Sequence, residues 1–403
     1  MTTARPRVVA ALPELFPSTV LNVAKPLLRL VEAGAIDLEL ALHVTVRARQ
    51  IQQADVLVLS HTINPAHAWM LDCAQAAGTP LIYDIDENLL EPPDDIPGLE
   101  FHRDPARQAT VRRALTQAVL VRTYAPALQR YLCRFNEHVV RTDGPVDWRL
   151  VPEAVQRDHQ RVRVVYATSR TTEDTIGAMV VEPLRRLLDT EPTVDLTVWG
   201  PQFGDLAGHP RVRFRPFVRG YDRYFQEFAR AGFDIGVAPM PNEVFYQSKT
   251  ATKFREYAAC RIAGVYADVE MYRDCVADGE TGLLVSASPD AWLHAIRRLV
   301  ADVGLRQRIQ SAAYAYARTR YSAERIDGDW LDHITYARER RKAPTRASTP
   351  PAARTSAIGR VGALIRSGGM KAALGRAAAQ LNGIWQLLAW EMAIRRVHRQ
   401  HRS

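Results

Sequence analysis

Apolar residues come in short bursts along this chain, and between the bursts they recur every three or four positions. In the first 150 residues the bursts are Val8-Val-Ala-Ala-Leu12, Ile36-Asp-Leu-Glu-Leu40, Val56-Leu-Val-Leu-Ser60, Leu81-Ile-Tyr-Asp84 and Ala118-Val-Leu-Val121. Each is too short for a buried helix and suits a strand. Val20 to Leu30 and Ala66 to Ala77 carry the helical period between them. Alternation of this kind predicts a parallel sheet covered by helices on both faces. A polar stretch over 145–159, with Pro145 and Pro152, reads as a connector. A second set follows: Arg163-Val-Val-Tyr-Ala167, Val194-Asp-Leu-Thr-Val-Trp199, Val212-Arg-Phe214, Phe233-Asp-Ile-Gly-Val-Ala238 and Ile262-Ala-Gly-Val-Tyr266, then long helices from Asp290 to about Arg341. The prediction is an α/β protein with two doubly wound Rossmann-like domains, 1–150 and 160–341. Their ligand cleft is expected between them, at the carboxyl ends of the strands.

The pattern changes after Lys342. Pro344, Pro350 and Pro351 lie among Ser, Thr and Arg, which makes a linker. Beyond it Leu381, Ile384, Trp385, Leu388 and Met392 recur at helical spacing, followed by Arg395, Arg396, Arg399 and Arg402. Residues 341–403 hold 12 Lys/Arg against the single acid Glu391; with +9 overall, that segment carries +11 and the first 340 residues sum to −2. A near-neutral body argues against nucleic acid as partner. The tail, 342–403, reads as a basic amphipathic helix for an anionic membrane surface, or one that docks on the body or on another subunit. Four scattered cysteines form no CxxC or Cys/His cluster, so unpaired thiols and a reducing compartment are expected. No signal-peptide pattern and no run of membrane-spanning length stands out, which predicts a cytoplasmic protein.

The chemistry concentrates in Phe245-Tyr-Gln-Ser-Lys-Thr-Ala-Thr-Lys-Phe-Arg-Glu-Tyr257. Lys249 and Lys253 are four apart and Glu256 three further, which places them near one face if all are helical. Ser248 and Thr250 are hydroxyls at the predicted helix start, where free N–H groups and partial positive charge suit phosphate. The plain alternative is an exposed helix with an ordinary Lys–Glu pair. Ser169 and Arg170 follow the strand ending at Ala167; the guanidinium is either a phosphate clamp or a solvated loop arginine. In the first domain, Tyr83-Asp-Ile-Asp-Glu-Asn88 puts Asp84, Asp86 and Glu87 at a strand's carboxyl end. His61 follows the strand Val56 to Ser60. Capping and core roles are the structural alternatives for these two places.

Taken together, Asp234-Ile-Gly-Val-Ala-Pro-Met240, the Lys249–Lys253–Glu256-Tyr257 spacing, the strand at Ile262 and Asp278-Gly-Glu-Thr-Gly-Leu-Leu284 resemble the GT-B glycosyltransferases, most closely retaining family 4 (group 1). The resemblance covers about residues 160–320. It implies a hexosyl- or pentosyltransferase that moves a sugar from a nucleoside-diphosphate sugar to a hydroxyl acceptor, a glycan or lipid-linked glycan, with retention. No metal or other cofactor is implied. Donor contacts are implied at Ser169, Arg170, Ser248, Lys249, Thr250, Lys253 and Glu256, and reaction-side roles at His61, Asp84 and Asp86. Glu256 matches the second acid of the family's E-x7-E signature. Ser248 stands where the first acid is usual, and Glu243 does not match its spacing. A non-catalytic nucleotide-sugar-binding protein and a nucleotide-sugar epimerase of the same fold are the rival readings.

Overall fold

The computed structural model describes residues 4–61, 64–93, 99–155, 157, 160–169, 175–344 and 390. It divides into two compact units: Met1–Tyr124, Leu128–Asp143 and Ala323–Ser403 form the first, and Ala125–Ala127 with Gly144–Ser322 form the second. The first unit contains β1 (Arg7–Leu12), β2 (Asp37–Leu42), β3 (Val56–Ser60), β4 (Leu81–Asp84), β5 (Leu120–Thr123) and β6 (Val139–Arg141). They pair in the order β2-β1-β3-β4-β5-β6, all parallel. β1 and β3 are buried along nearly their whole length, as their uninterrupted apolar sequences require of strands covered on both faces. Because the chain passes from β1 to β2 on one side and on to β3 on the other, the switch point lies at the carboxyl ends of β1 and β3.

The helical run after β1 changes character midway. Pro17–Thr19 is α-helical, Val20–Ala24 is a π turn, and Lys25–Glu32 is α-helical again. Pro26 explains the interruption: it has no N–H to give the Asn22 carbonyl, four residues back. The indole N–H of Trp330 donates to that carbonyl instead, at 2.9 Å.

Trp330 belongs to the helix Ala323–Arg338, which the sequence pattern groups with the second domain. That expectation is corrected: Ile326, Trp330, Ile334 and Ala337 are fully buried in the core of the first unit. Their spacing announces an apolar stripe but says nothing about which sheet the stripe seals. The backbone then runs past Gly78, whose carbonyl accepts from the Lys342 N–H at 3.2 Å. Gly78 has φ +66°, and a Cβ there would lie 2.0 Å from the Lys342 carbonyl oxygen.

The second unit repeats the plan with β7 (Val162–Ala167), β8 (Val194–Trp199), β9 (Val212–Arg215), β10 (Ile235–Ala238), β11 (Ala263–Ala267) and β12 (Leu283–Val285). The order is β12-β11-β10-β7-β8-β9, again all parallel, with the switch point between β7 and β10. Asp234 sits just before β10, at its amino end, where its carboxylate accepts from the Arg163 N–H at 2.9 Å. Asp278-Gly-Glu-Thr-Gly282 is a closed turn: the Gly279 N–H bonds the Gly282 carbonyl, and Asp278 Oδ1 accepts from the Leu284 N–H. Both acids thus serve the backbone.

Among the described residues no helix is long and apolar enough to cross a membrane. The four cysteines are free. Of the predicted amphipathic tail only Trp390 is described; it is helical, half-buried and packed against the core of the first unit. The other tail residues lie outside the described residues.

Candidate functional site

In the second unit, the helix Thr252–Ala259 runs back from the carboxyl edge of the parallel sheet to lead into β11. It is seated on β10 by Tyr257, whose hydroxyl donates to the Val237 carbonyl at 3.0 Å. Gly236 makes room for that ring, since a Cβ there would approach it to 2.5 Å. One residue earlier, Glu256 is only 2% exposed. Its Oε2 accepts from Lys253 Nζ at 2.7 Å and from the Tyr224 hydroxyl at 3.2 Å. Lys253 Nζ also reaches the Tyr224 oxygen at 3.2 Å. Lys253 is the more open partner, with 23% of its side chain exposed. Burial, reinforced by the Glu256 charge, pushes the Tyr224 phenol far above its ordinary range, so it stays protonated and donates. The result is a triad of ammonium, carboxylate and phenol.

The start of that helix differs from expectation. Helix begins at Thr252, not at Ser248, with Ala251 as its cap. Ser248 closes a separate short helix, Val244–Gln247; its hydroxyl donates to the Val244 carbonyl at 2.9 Å and the residue is 1% exposed. A serine that bonds its own i−4 carbonyl competes with helix continuation, which accounts for the break. Lys249 and Thr250 therefore lie in the half-buried link between the two helices, not on one helical face with Lys253. The Lys249 ammonium stands 4.5 Å from the centre of the Phe245 ring. Ser169 is exposed just past the carboxyl end of β7. Arg170 lies outside the described residues. Glu243 is exposed beside the short helix.

In the first unit, Ser60, Asp84 and Arg122 stand abreast at the carboxyl ends of β3, β4 and β5. His61 follows with φ +49°, a left-handed conformation uncommon outside glycine and a mark of a constrained turn. Its N–H donates to the Asp84 carbonyl at 3.1 Å. Its ring is held at both nitrogens, Nδ1 by Ser60 Oγ at 2.9 Å and Nε2 by the Asp86 carboxylate. Burial opposes a charge on this imidazole, but Asp86, helped by Glu87 and Asp84, outweighs it and raises the pKa to about 9. At neutral pH His61 is thus an imidazolium paired with Asp86, and not a base.

Asp84 plays a different part from its neighbour. It is 1% exposed, and Oδ2 accepts from the Tyr124 hydroxyl at 2.6 Å and from Arg122 Nε at 3.4 Å. Burial raises its pKa to about 6 against the pull of Arg122 and Tyr124. Asp84 and Asp86 accordingly face different partners and do not form a paired-carboxylate ligand set. Among the described residues, no group of three or more His, Cys, Asp or Glu side chains converges to hold a metal. Tyr224, Arg122, Tyr124 and His333 are the participants that sequence reasoning missed. Only Arg122 left a signal, as a lone charge inside an apolar strand.

Residues 170–332 match the family model described as Glycosyl transferase-like. No curated protein matches the chain. Among solved structures, the fold is similar to HepE of Anabaena in complex with UDP-glucose, at 15% identity over 82% of this chain and 100% of that one, TM-score 0.61. It is also similar to a glycosyltransferase from Rickettsia africae, at 11% identity over 83% and 98% of the two chains, TM-score 0.61. Sucrose-phosphate synthase from Thermosynechococcus elongatus is a third, at 12% identity over 82% and 100%, TM-score 0.58. The chain thus carries a glycosyl transferase-like segment over residues 170–332, and its two parallel six-stranded sheets share the GT-B fold of these glycosyltransferase structures.

Proposed function

We propose that this protein transfers a hexosyl or pentosyl group from a nucleoside-diphosphate sugar to a hydroxyl of a glycan or lipid-linked glycan, with retention and without a metal. The observation that carries this reading is the Lys253–Glu256–Tyr224 triad at the carboxyl edge of the second sheet, within the family-matched segment. An ammonium fixed by two partners at the head of a helix suits a diphosphate, whose charge grows as the sugar departs. Lys249, Lys253 and Arg170 neutralise that charge, Ser169 and Thr250 offer hydroxyls, and Glu256 accepts from the ribose. Ser248 contributes by shaping the turn, since its hydroxyl is already bonded to Val244. That HepE of Anabaena is solved with UDP and with UDP-glucose supports a donor of this class.

On the acceptor side we assign the His61–Asp86 pair, with Asp84 holding the turn beneath it. The imidazolium offers fixed positive charge and Asp86 a carboxylate for an acceptor hydroxyl. Asp84 is engaged by Arg122 and Tyr124, and Asp86 by His61, so neither carboxylate is set up as a covalent nucleophile. Retention then proceeds by same-face attack assisted by the leaving phosphate.

Ser248, in place of the first signature acid, favours one rival: a binding protein that holds the donor without turning it over. A panel of nucleotide sugars, with and without oligosaccharide acceptors, separates the readings. Acceptor-dependent release of nucleoside diphosphate is expected. Tight binding without release under any acceptor supports the binding protein, and an altered sugar nucleotide formed without acceptor supports an epimerase. For the tail, the half-buried Trp390 supports docking on the first unit, and the arginines beyond it suit the anionic inner face of the cell membrane.

A further inference from the structure

The first unit's candidate site is braced from an unexpected direction. The guanidinium of Arg122 is fully buried, and among the described residues its one carboxylate contact, to Asp84, is long at 3.4 Å. A single long ion pair is a poor return for removing a charge from water. Two side chains of the closing helix Ala323–Arg338 add to it, although Nη2 has no hydrogen-bond partner among the described residues. His333 Nδ1 accepts from Arg122 Nη1, and the Trp330 ring lies beneath the guanidinium, 3.6 Å from its carbon to the ring centroid. Trp330 is itself fixed by donating to the Asn22 carbonyl that Pro26 leaves unserved.

We propose that His333 and Trp330 are positioning residues: through Arg122 they fix Asp84, and through Asp84 the left-handed turn that presents His61 to Asp86. Each link is a contact. Arg122 Nε reaches the Asp84 carboxylate, the Arg122 carbonyl accepts from the Ile85 N–H at 3.0 Å, and the Asp84 carbonyl accepts from the His61 N–H at 3.1 Å. His333 must be neutral to accept from a guanidinium. Burial, with the Arg122 charge, lowers its pKa to about 3, so the acceptor lone pair is present at every physiological pH. The charged groups that act on His61 are Asp86, Glu87 and Asp84, and His43, which burial holds neutral, also interacts with it.

The proposal rests on the acceptor-side role given above to His61 and Asp86, and its test separates the two. His333→Ala and the conservative His333→Gln, whose amide oxygen can accept from Arg122, are compared with wild type in the full chain. The His61 titration is followed by NMR of the labelled imidazole, nucleoside-diphosphate binding by calorimetry, and turnover with a nucleotide sugar. His333→Ala is expected to lower the His61 midpoint from about 9, leave nucleotide affinity unchanged and cut turnover roughly 10- to 100-fold, with His333→Gln restoring both. An unmoved His61 midpoint in a folded His333→Ala protein overturns the proposal. A moved midpoint with unchanged turnover upholds the positioning link and refutes the reaction-side role of His61. Should His333→Ala fail to fold, Arg122→Lys, which keeps the charge but loses the fork, is expected to move the midpoint in the same direction; an unmoved midpoint there is equally decisive against the link.

Discussion

His61 and Asp86 form a charge pair whose strength depends on a proton, and this gives the fold a pH signature. The folded-state pKa of His61 is raised from 6.5 to about 9. Its contribution to stability is therefore fully present below the unfolded pKa and is lost as pH rises through the folded one. His61→Asn, which tolerates the left-handed backbone, should be less stable than wild type near pH 6 by roughly 1–3 kcal/mol and nearly equal to it by about pH 10. Urea unfolding across that range checks the sign; a gap that widens with pH contradicts the assignment. Residues of this kind were partly legible in the sequence. Lys253 and Glu256 lie three apart on one helix, a spacing that local geometry brings together. Tyr224 stands 32 residues from Glu256, and His333 stands 211 from Arg122. Only the tertiary fold could pair them.

At the scale of elements, burial decided what could be read. β3, β4 and β8 coincide with apolar runs bounded by polar residues, and their limits match the sequence pattern. β6 and β12 are three residues long, too short to show a period. The late start of the helix at Thr252 arises from a hydrogen bond that propensity does not carry, given by Ser248, whereas the π turn at Val20–Ala24 follows from Pro26, with Trp330 serving the Asn22 carbonyl it leaves free. The seat of the helix Thr252–Ala259 depends on Gly236, where Tyr257 leaves no space for a methyl. Gly236→Ala should destabilise the second unit by about 1–3 kcal/mol and weaken nucleotide binding, because the ring that must move adjoins Glu256. Unfolding curves with and without nucleoside diphosphate measure both effects. A neutral result would mean the helix is not held by this contact.

For the whole molecule, the chain's order and its architecture part company at the helix Ala323–Arg338. A strand-and-helix count assigns it to the nearer sheet, yet its apolar stripe completes the first unit. Trp390 extends that covering. Trp390→Ala should lower the stability of the full chain by roughly 1–2 kcal/mol, as expected for a half-buried aromatic contact. Removing residues 343–403 should lower it at least as much and also abolish binding to vesicles of anionic lipid. Undiminished stability in both variants contradicts docking, and undiminished vesicle binding contradicts the membrane role of the arginines.

The central claim is that the second unit holds a nucleoside-diphosphate sugar through the triad around Glu256. Calorimetric titration of uridine diphosphate into wild type, Glu256→Ala and Lys253→Ala tests it directly. Saturable binding to the wild type is expected, with each substitution weakening it by about 1–3 kcal/mol, roughly 5- to 150-fold in Kd, as for loss of a charge-assisted contact. Wild-type affinity in both variants, when the wild type itself binds, would contradict the account.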